Sequence, residues 1–280
     1  MTKYMDFYVK LLHRRIFNIK NLILLGILWI TEDMMLQQVI AIGMETGEKI
    51  TPAVYVFLQS YAGFLLILFL EVMIFYADVP FISHEQFYVV LRTGKKRWYL
   101  DHMIYIIVSS LIILLTAVFL CIVRSISIIK FSLSWDRILG TLALTNAGQQ
   151  FDVVIPVPYK ILNRYDPIEA MGYSLLVGWG ILCFIGMFMF VISLIRNRKE
   201  AVIITTIMIL IFGIQEYYPP WVRYIVPLSW MQVTELGVRY SEFSPSQRYV
   251  FIMLPAFLGI TFIVGFLGIS KIDFEWIEDE

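Results

Sequence analysis

Six apolar runs, at 21–42, 55–77, 102–123, 170–195, 200–217 and 246–270, decide what this chain can fold into. A helix needs about 20 mostly apolar residues to cross a hydrocarbon core about 30 Å thick. Within that core the backbone must satisfy its own hydrogen bonds, which a helix does inside one segment. The expected fold class is therefore an all-α polytopic membrane protein with six transmembrane helices, forming a single transmembrane domain over 1–280. The fifth run is the shortest, and Pro219 and Pro220 bound it. Composition agrees: 59% of the 280 residues are apolar and 16% charged, whereas soluble domains have about 25% charged residues. The net charge is zero, so bulk charge points to no nucleic-acid partner. Cys121 and Cys183 both lie inside apolar runs and read as packing thiols rather than a disulfide framework. Residues 1–20 mix charged and apolar residues, without the basic start, apolar core and cleavage site of a signal peptide.

Direction follows from Lys and Arg. With the N-terminus in the cytoplasm, the inner segments hold 13 basic residues in 61 positions and the outer segments 9 in 94. That bias is the positive-inside pattern, so both termini of the multi-pass chain are expected in the cytoplasm. The localisation expected is a bacterial plasma membrane. In 1–20, Tyr4, Tyr8, Leu11, Leu12 and Ile16 recur at helical spacing, with Lys3, Lys10, Arg14 and Arg15 largely elsewhere on the wheel. This predicts a helix lying on the inner leaflet; the alternative is an ordinary basic flank. Asp166, Pro167 and Glu169 read as N-cap, N1 proline and N3 acid before the fourth run, and Ser244, Pro245 and Gln247 do the same for the sixth.

Between the second and third runs stands FISHEQFYVVLRTGKKRWYLDH, residues 81–102. Ser83 and Gln86 form a capping box, so a helix is expected from His84, with Phe87, Val90 and Leu91 on one face. Glu85, Arg92 and partly Tyr88 fall elsewhere. Gly94 suits the left-handed position that ends such a helix. Lys95, Lys96 and Arg97 then sit at headgroup level, and Trp98 and Tyr99 mark the interface. A connecting loop with a charge cluster explains the basic residues but not the capped helix before them.

The run of Arg92, Gly94, Lys95, Lys96, Arg97 and Trp98 at the entry to the third run is similar to the pattern of ABC-2 type transporter permease subunits. Six spans, an N-terminal interfacial helix and a short helix between spans two and three resemble that family in layout over the whole chain. The proline-marked stretch at 219–236 is similar to the short outer helices that family members carry between spans five and six. The resemblance implies that 84–92 is a cytoplasmic coupling helix. Ser83, His84, Glu85, Gln86, Phe87, Tyr88 and Leu91 would contact an ATP-hydrolysing partner. The sequence has no G-x-x-x-x-G-K-[ST] phosphate loop. The resemblance therefore places ATP and magnesium on a separate ABC ATPase subunit, in two copies, with no cofactor on this chain. It also implies a second permease subunit forming a homodimer, bathed in membrane lipids.

Segment 124–166 is longer than the short outer connection of simple ABC-2 permeases, and a structureless loop of that length would be unusual. Residues 130–135 alternate polar and apolar, as a half-exposed strand or an interfacial segment would. Ser134 or Asp136 would cap a short helix through Leu144, and 153–159 reads as extended. The expectation is a small extracellular elaboration over the outer mouth, a layout similar to exporters of amphipathic peptide toxins of the phenol-soluble modulin type.

Glu32 and Asp33 fall midway along the first run and Glu71 in the second. A charge at the bilayer centre costs about 2.5–3.5 kcal/mol on insertion scales, so such residues face protein or water. One reading is a substrate cavity lined by Glu32, Asp33, Gln59 and Glu71, favouring cationic or amphipathic cargo. The other pairs Glu71 with a basic group such as His102 and leaves Glu32 and Asp33 protonated or hydrogen-bonded. Glycines 172, 178, 180 and 186 point to close packing of the fourth run. Tyr217, Tyr218, Trp221, Tyr224 and Trp230 read mostly as an aromatic belt. No catalytic residue and no metal site is expected, since His13, His84 and His102 are scattered. The function expected is the permease of an ATP-driven exporter. The alternatives are a proton-coupled secondary carrier using the intramembrane carboxylates, or a non-transporting sensor or scaffold.

Overall fold

The computed structural model describes residues 18–78, 90, 92–233 and 245–269, in which ten α-helices and three short 3-10 segments are found. The helices are α1 (Ile19–Thr46), α2 (Val54–Ser60), α3 (Ala62–Tyr76), α4 (Lys95–Arg124) and α5 (Arg137–Leu144). They continue with α6 (Ala147–Gln150), α7 (Tyr159–Arg164), α8 (Pro167–Ile195), α9 (Arg198–Gly213) and α10 (Gln247–Gly268). Four of them, α1, α4, α8 and α10, are long and apolar enough to cross a membrane, and counting the bent pair α2–α3 as one span brings the number to five. The fifth expected run is α9, a helix of 16 residues followed by 3-10 turns. At 1.5 Å per residue such a helix covers about 24 Å, short of the hydrocarbon core. The expected interfacial helix lies outside the described residues except for its last positions, 18–20.

α8 is the hub. It packs against α10, α4, α9, α3 and the 3-10 segment Pro227–Met231. Two thirds (67%) of its most apolar stretch is buried, against 22% for α10 at the rim. Small residues make this possible. A Cβ on Gly180 would stand 2.6 Å from Leu254, and one on Gly186 2.7 Å from Ile106 and 2.9 Å from Tyr76. Gly178 is equally tight, while Gly172 faces open space and plays no such part. Cys121 and Cys183 are buried, free thiols.

Local signals set several helix ends. Gly47 (φ 69) closes α1 in the left-handed region. Gly94 has φ 85, a conformation that favours glycine, and its N–H donates to the Val90 carbonyl at 2.8 Å. Asp136 caps α5: one carboxylate oxygen accepts from Leu139 N at 2.8 Å and the other from Thr51 N at 2.9 Å, fastening the α1–α2 connection. Pro167 opens α8 behind Asp166, although the Asp166 side chain makes no cap bond. The start of α10 differs from expectation. Ser246, not Ser244, is its N-cap, accepting from Tyr249 N at 3.2 Å.

Segment 130–135 is not a strand. The extended pairing near it is one isolated parallel bridge, Ile50 with Ile129. Among the described residues no further strand lies alongside to continue a ladder, and Phe131 and Leu133 point outward, exposed. Trp135 turns inward, donating its indole N–H to the Tyr165 carbonyl at 2.7 Å and packing on Phe57. Trp230 also departs from expectation: it is fully buried rather than part of a belt, its N–H given to the Arg223 carbonyl at 2.8 Å.

Candidate functional site

The buried positions of α1 are Leu24, Leu28, Thr31, Glu32, Leu36, Val39, Ile40 and Gly43, one face at helical spacing. Glu32 occupies a core position of that face, between Leu28 and Leu36. It is fully buried, and neither carboxyl oxygen has a hydrogen-bond partner among the described residues. Tyr55, Cys121 and Glu71 stand within electrostatic reach of it. The Tyr55 hydroxyl is buried without a bond as well. Glu71, on α3, is 7% exposed; its Oε1 has no partner, and it makes no ion pair among the described residues. Two buried carboxyl groups on helices packed together, neither in an ion pair among the described residues, form an unusual arrangement, because a buried charge is ordinarily paired.

Glu71 lines a cavity of about 150 Å³ between α1, α3 and α4. Its walls are mainly apolar, including Leu24, Leu28, Val72 and Ile113, with Asn21, Ser109 and Thr116 adding polar atoms. His102, the expected neighbour of Glu71, stacks instead on Phe190 at 5.2 Å with its Nδ1 3.0 Å from the Trp98 carbonyl.

The other two candidates for the cavity have different roles. Asp33 follows Glu32 by one residue, about 100° around the helix at 3.6 residues per turn. That rotation takes it off the core face to an ion pair with Arg124 at the end of α4. Gln59 is fully buried, but its amide clasps α8: Nε2 donates to the Ser174 carbonyl at 3.0 Å, and the Ser174 hydroxyl donates back to Oε1. The structure thus brings Glu32 and Glu71 together and separates Asp33 and Gln59 from them.

Gln59 belongs to a second polar region that its sequence position alone does not announce. α2 and α3 meet at 78°, with Tyr61 extended at the break. A broken helix frees backbone carbonyls that need donors at membrane depth. Gln232 Nε2 donates to the Ser60 carbonyl at 3.0 Å, and Gln215 Nε2 donates to Gln232 Oε1 at 2.7 Å. Both glutamines flank the proline-marked 3-10 segments Pro220–Tyr224 and Pro227–Met231, the latter buried throughout. Two glutamines bracketing a proline-rich apolar stretch were the available signal.

The expected coupling residues Ser83, His84, Glu85, Gln86, Phe87, Tyr88 and Leu91 lie outside the described residues. The two ends of that segment are described. At one end Asp78 makes ion pairs with Lys20 and Arg198, and Arg198 Nε also donates to the Ala77 carbonyl at 2.8 Å. This clasp ties the ends of α1, α3 and α9. At the other end α4 starts at Lys95 and is clamped at once. Trp98, Tyr99 and His102 pack on Phe190 of α8, and Tyr99 also packs on Phe262 and Phe266 of α10. The Tyr99 hydroxyl donates to the Phe262 carbonyl at 2.9 Å. Gly265 admits that ring, since a Cβ there would stand 2.5 Å from the Tyr99 oxygen.

Among the described residues no group of three His, Cys, Asp or Glu side chains could hold a metal ion. No family model matches the chain, and no curated protein or solved structure matches it either.

Proposed function

We propose that this chain is the membrane-spanning permease subunit of an ATP-driven exporter of the ABC-2 type. It would pair with a second permease copy and separate ATPase subunits to move amphipathic or peptide-like cargo out of the cell. The observation that carries this reading is the anchoring of both ends of segment 79–93. Its first end leaves the Asp78 clasp on α1, α3 and α9. Its second end enters α4, clamped to α8 and α10 by Trp98 and Tyr99. A partner that pushes on Phe87, Tyr88 and Leu91 therefore moves two tied groups of helices against each other. The cavity carrying Glu71 lies between α1 and α3 on one side and α4 on the other, where that movement changes its width. Co-purification with the ATPase and cargo-stimulated ATP turnover test the reading. Phe87→Arg or Tyr88→Arg is expected to reduce both, and unchanged assembly and turnover in both variants overturns it.

Glu32 favours a second reading. A fully buried carboxyl with two unbonded oxygens near a second carboxyl suits a proton-coupled carrier that needs no ATPase. Reconstituted vesicles without any ATPase discriminate: cargo movement driven by a pH gradient alone, and lost in Glu32→Gln, supports the carrier and removes the permease reading.

A further inference from the structure

The cleft between α1, α3 and α4 has one charged residue among those lining it, Glu71, and that residue is more than nine-tenths buried without a bond to Oε1. Lys20, next in the chain to the lining residue Asn21, is taken by Asp78. Ser109, a hydroxyl of α4 lining the cleft, is also committed: it donates to the Tyr105 carbonyl at 2.7 Å and meets the Tyr76 hydroxyl at 2.8 Å. Leu22, Leu25 and Ile112 line the cleft and are exposed, so it opens on the flank of the bundle. An ionised carboxyl in such walls is costly unless a cation joins it. Its acceptor oxygens match the N–H donors of a primary ammonium in a charge-assisted bond. A cavity of about 150 Å³ holds about five water volumes, the size of a short alkyl stem with its nitrogen. A trimethylated head has no N–H to give, and an alcohol brings no charge.

We propose that this cleft is a binding site for a primary alkylammonium group, with Glu71 as its counter-ion and Leu24, Leu28, Val72 and Ile113 sheathing the alkyl stem. A lysine side chain of a passing apolar peptide and the headgroup of an amine-bearing lipid both present this chemistry at the flank. The proposal rests on reading the Glu71 cleft as the functional site and is independent of the ATPase partnership.

The test is equilibrium binding of radiolabelled hexylamine to the full chain in phosphatidylcholine nanodiscs, with empty discs subtracted. Saturable binding near one per chain is expected, weakened at least about tenfold in Glu71→Gln and unchanged in Asp33→Asn; a tenfold loss is an ordinary effect for one charged contact. Hexanol is expected to bind wild type and Glu71→Gln alike. Equal hexylamine binding by wild type and Glu71→Gln, or hexanol binding as well as hexylamine, overturns the proposal. Should Glu71→Gln fail to assemble, wild-type protein is labelled with dicyclohexylcarbodiimide, which attacks membrane-buried carboxyls, and Glu71 is followed by mass spectrometry. Protection by hexylamine and not by hexanol supports the site; no selective protection overturns it. Displacement of hexylamine by phosphatidylethanolamine assigns the site to lipid, and displacement by an apolar helical peptide with a single lysine assigns it to cargo. Displacement by neither overturns it. Loss of amine binding with the ATPase still recruited counts against this site alone. Amine binding in a chain that recruits no ATPase counts against the permease reading alone.

Discussion

Around the break at Tyr61, Gln59, Ser174, Ser60, Gln232 and Gln215 are joined by hydrogen bonds that cross from α2 to α8 and to the 3-10 segments. Around Glu32 and Glu71, at comparable burial, both Glu32 oxygens and Glu71 Oε1 find no such partners among the described residues. Both regions bury polar atoms, and they share the bent pair α2–α3, with Gln59 and Ser60 on α2 and Glu71 on α3. The difference lies in what each can do. A network in which Gln215 Oε1 alone lacks a partner among the described residues fixes one geometry, because movement breaks its other bonds. Unsatisfied carboxyls do not fix a geometry; they store a preference for whatever supplies a proton or a cation. The bend between α2 and α3 is therefore structural, and under the function proposed above the carboxyl pair is where the chain responds to cargo.

That contrast can be broken most severely at Gly178. A Cβ there would meet Gln59 Nε2 at 2.9 Å and the Met231 methyl at 3.2 Å. Gly178→Val should evict Gln59 from Ser174 as well as overpack α8, costing about 1–3 kcal/mol for the overpacking alone. Thermal unfolding in detergent, followed by loss of the monodisperse elution peak, measures it; a wild-type midpoint would mean that the break tolerates rearrangement. Gln232→Leu is the gentler version. It removes the donor to Ser60 and strands Gln215, with an expected loss of about 1–2 kcal/mol by the same assay. Both variants should leave the hexylamine site intact if the two regions are as separate as their contacts indicate.

Glu32→Gln sharpens the contrast from the other side. A neutral isostere at a position where neither oxygen is bonded removes a group the fold does not use. Stability is expected within about 1 kcal/mol of wild type, in either direction, because replacing an unpaired buried ionisable group is often neutral or stabilising. Transport or cargo-stimulated turnover is expected to change all the same. A large destabilisation with unaltered turnover would make Glu32 a structural residue and move it into the first region.

Much of this was readable before any coordinates. Apolar runs place α1, α4, α8 and α10, because length and hydropathy suffice for an uninterrupted helix. Gly94 and Asp136 announce their turns through chemistry that few other residues share. The bend at Tyr61 is hidden, because neither proline nor glycine occupies position 61 and Gln59 and Ser60 beside it do not interrupt an otherwise mostly apolar run over 55–77. Its trace is Gly63, where a Cβ would strike the Tyr61 ring at 2.7 Å. The different fates of Glu32 and Asp33 were legible only through the period of α1: adjacent acids point about 100° apart, and the core face selects one. Trp230 reads as a belt residue by neighbourhood, yet the fold-back of Pro227–Met231 carries it inside. What the chain hides are contacts made by segments distant in sequence, such as Gln59 with Ser174 or Gln232 with Ser60. No local pattern encodes the partner.

The smallest effect expected is at the rim, where charge is paired rather than bare. Partial burial pushes the Asp78 carboxyl up, but the hydrogen bond and charge of Lys20 together with Arg198 outweigh it and hold Asp78 below the usual carboxylate range. A carboxyl lowered in the folded state binds its proton less readily there than in the unfolded chain. The clasp therefore contributes stability above the unfolded value of about 3.9. That contribution fades as pH falls below this value and is gone once pH passes the lowered folded value. Because Asp78 is half exposed, the contribution at neutral pH should stay below about 1 kcal/mol. Asp78→Asn is expected to melt slightly below wild type at pH 7, with a gap that narrows as pH falls toward 3. High salt should narrow the gap at pH 7 in the same way, since exposed ion pairs are screened. A gap that persists unchanged from pH 7 to pH 3 would mean that Asp78 acts through its shape and hydrogen bonds, not its charge. The rim would then resemble the glutamine network at Tyr61, and ion pairing would lose its place as the third way this bundle handles polarity.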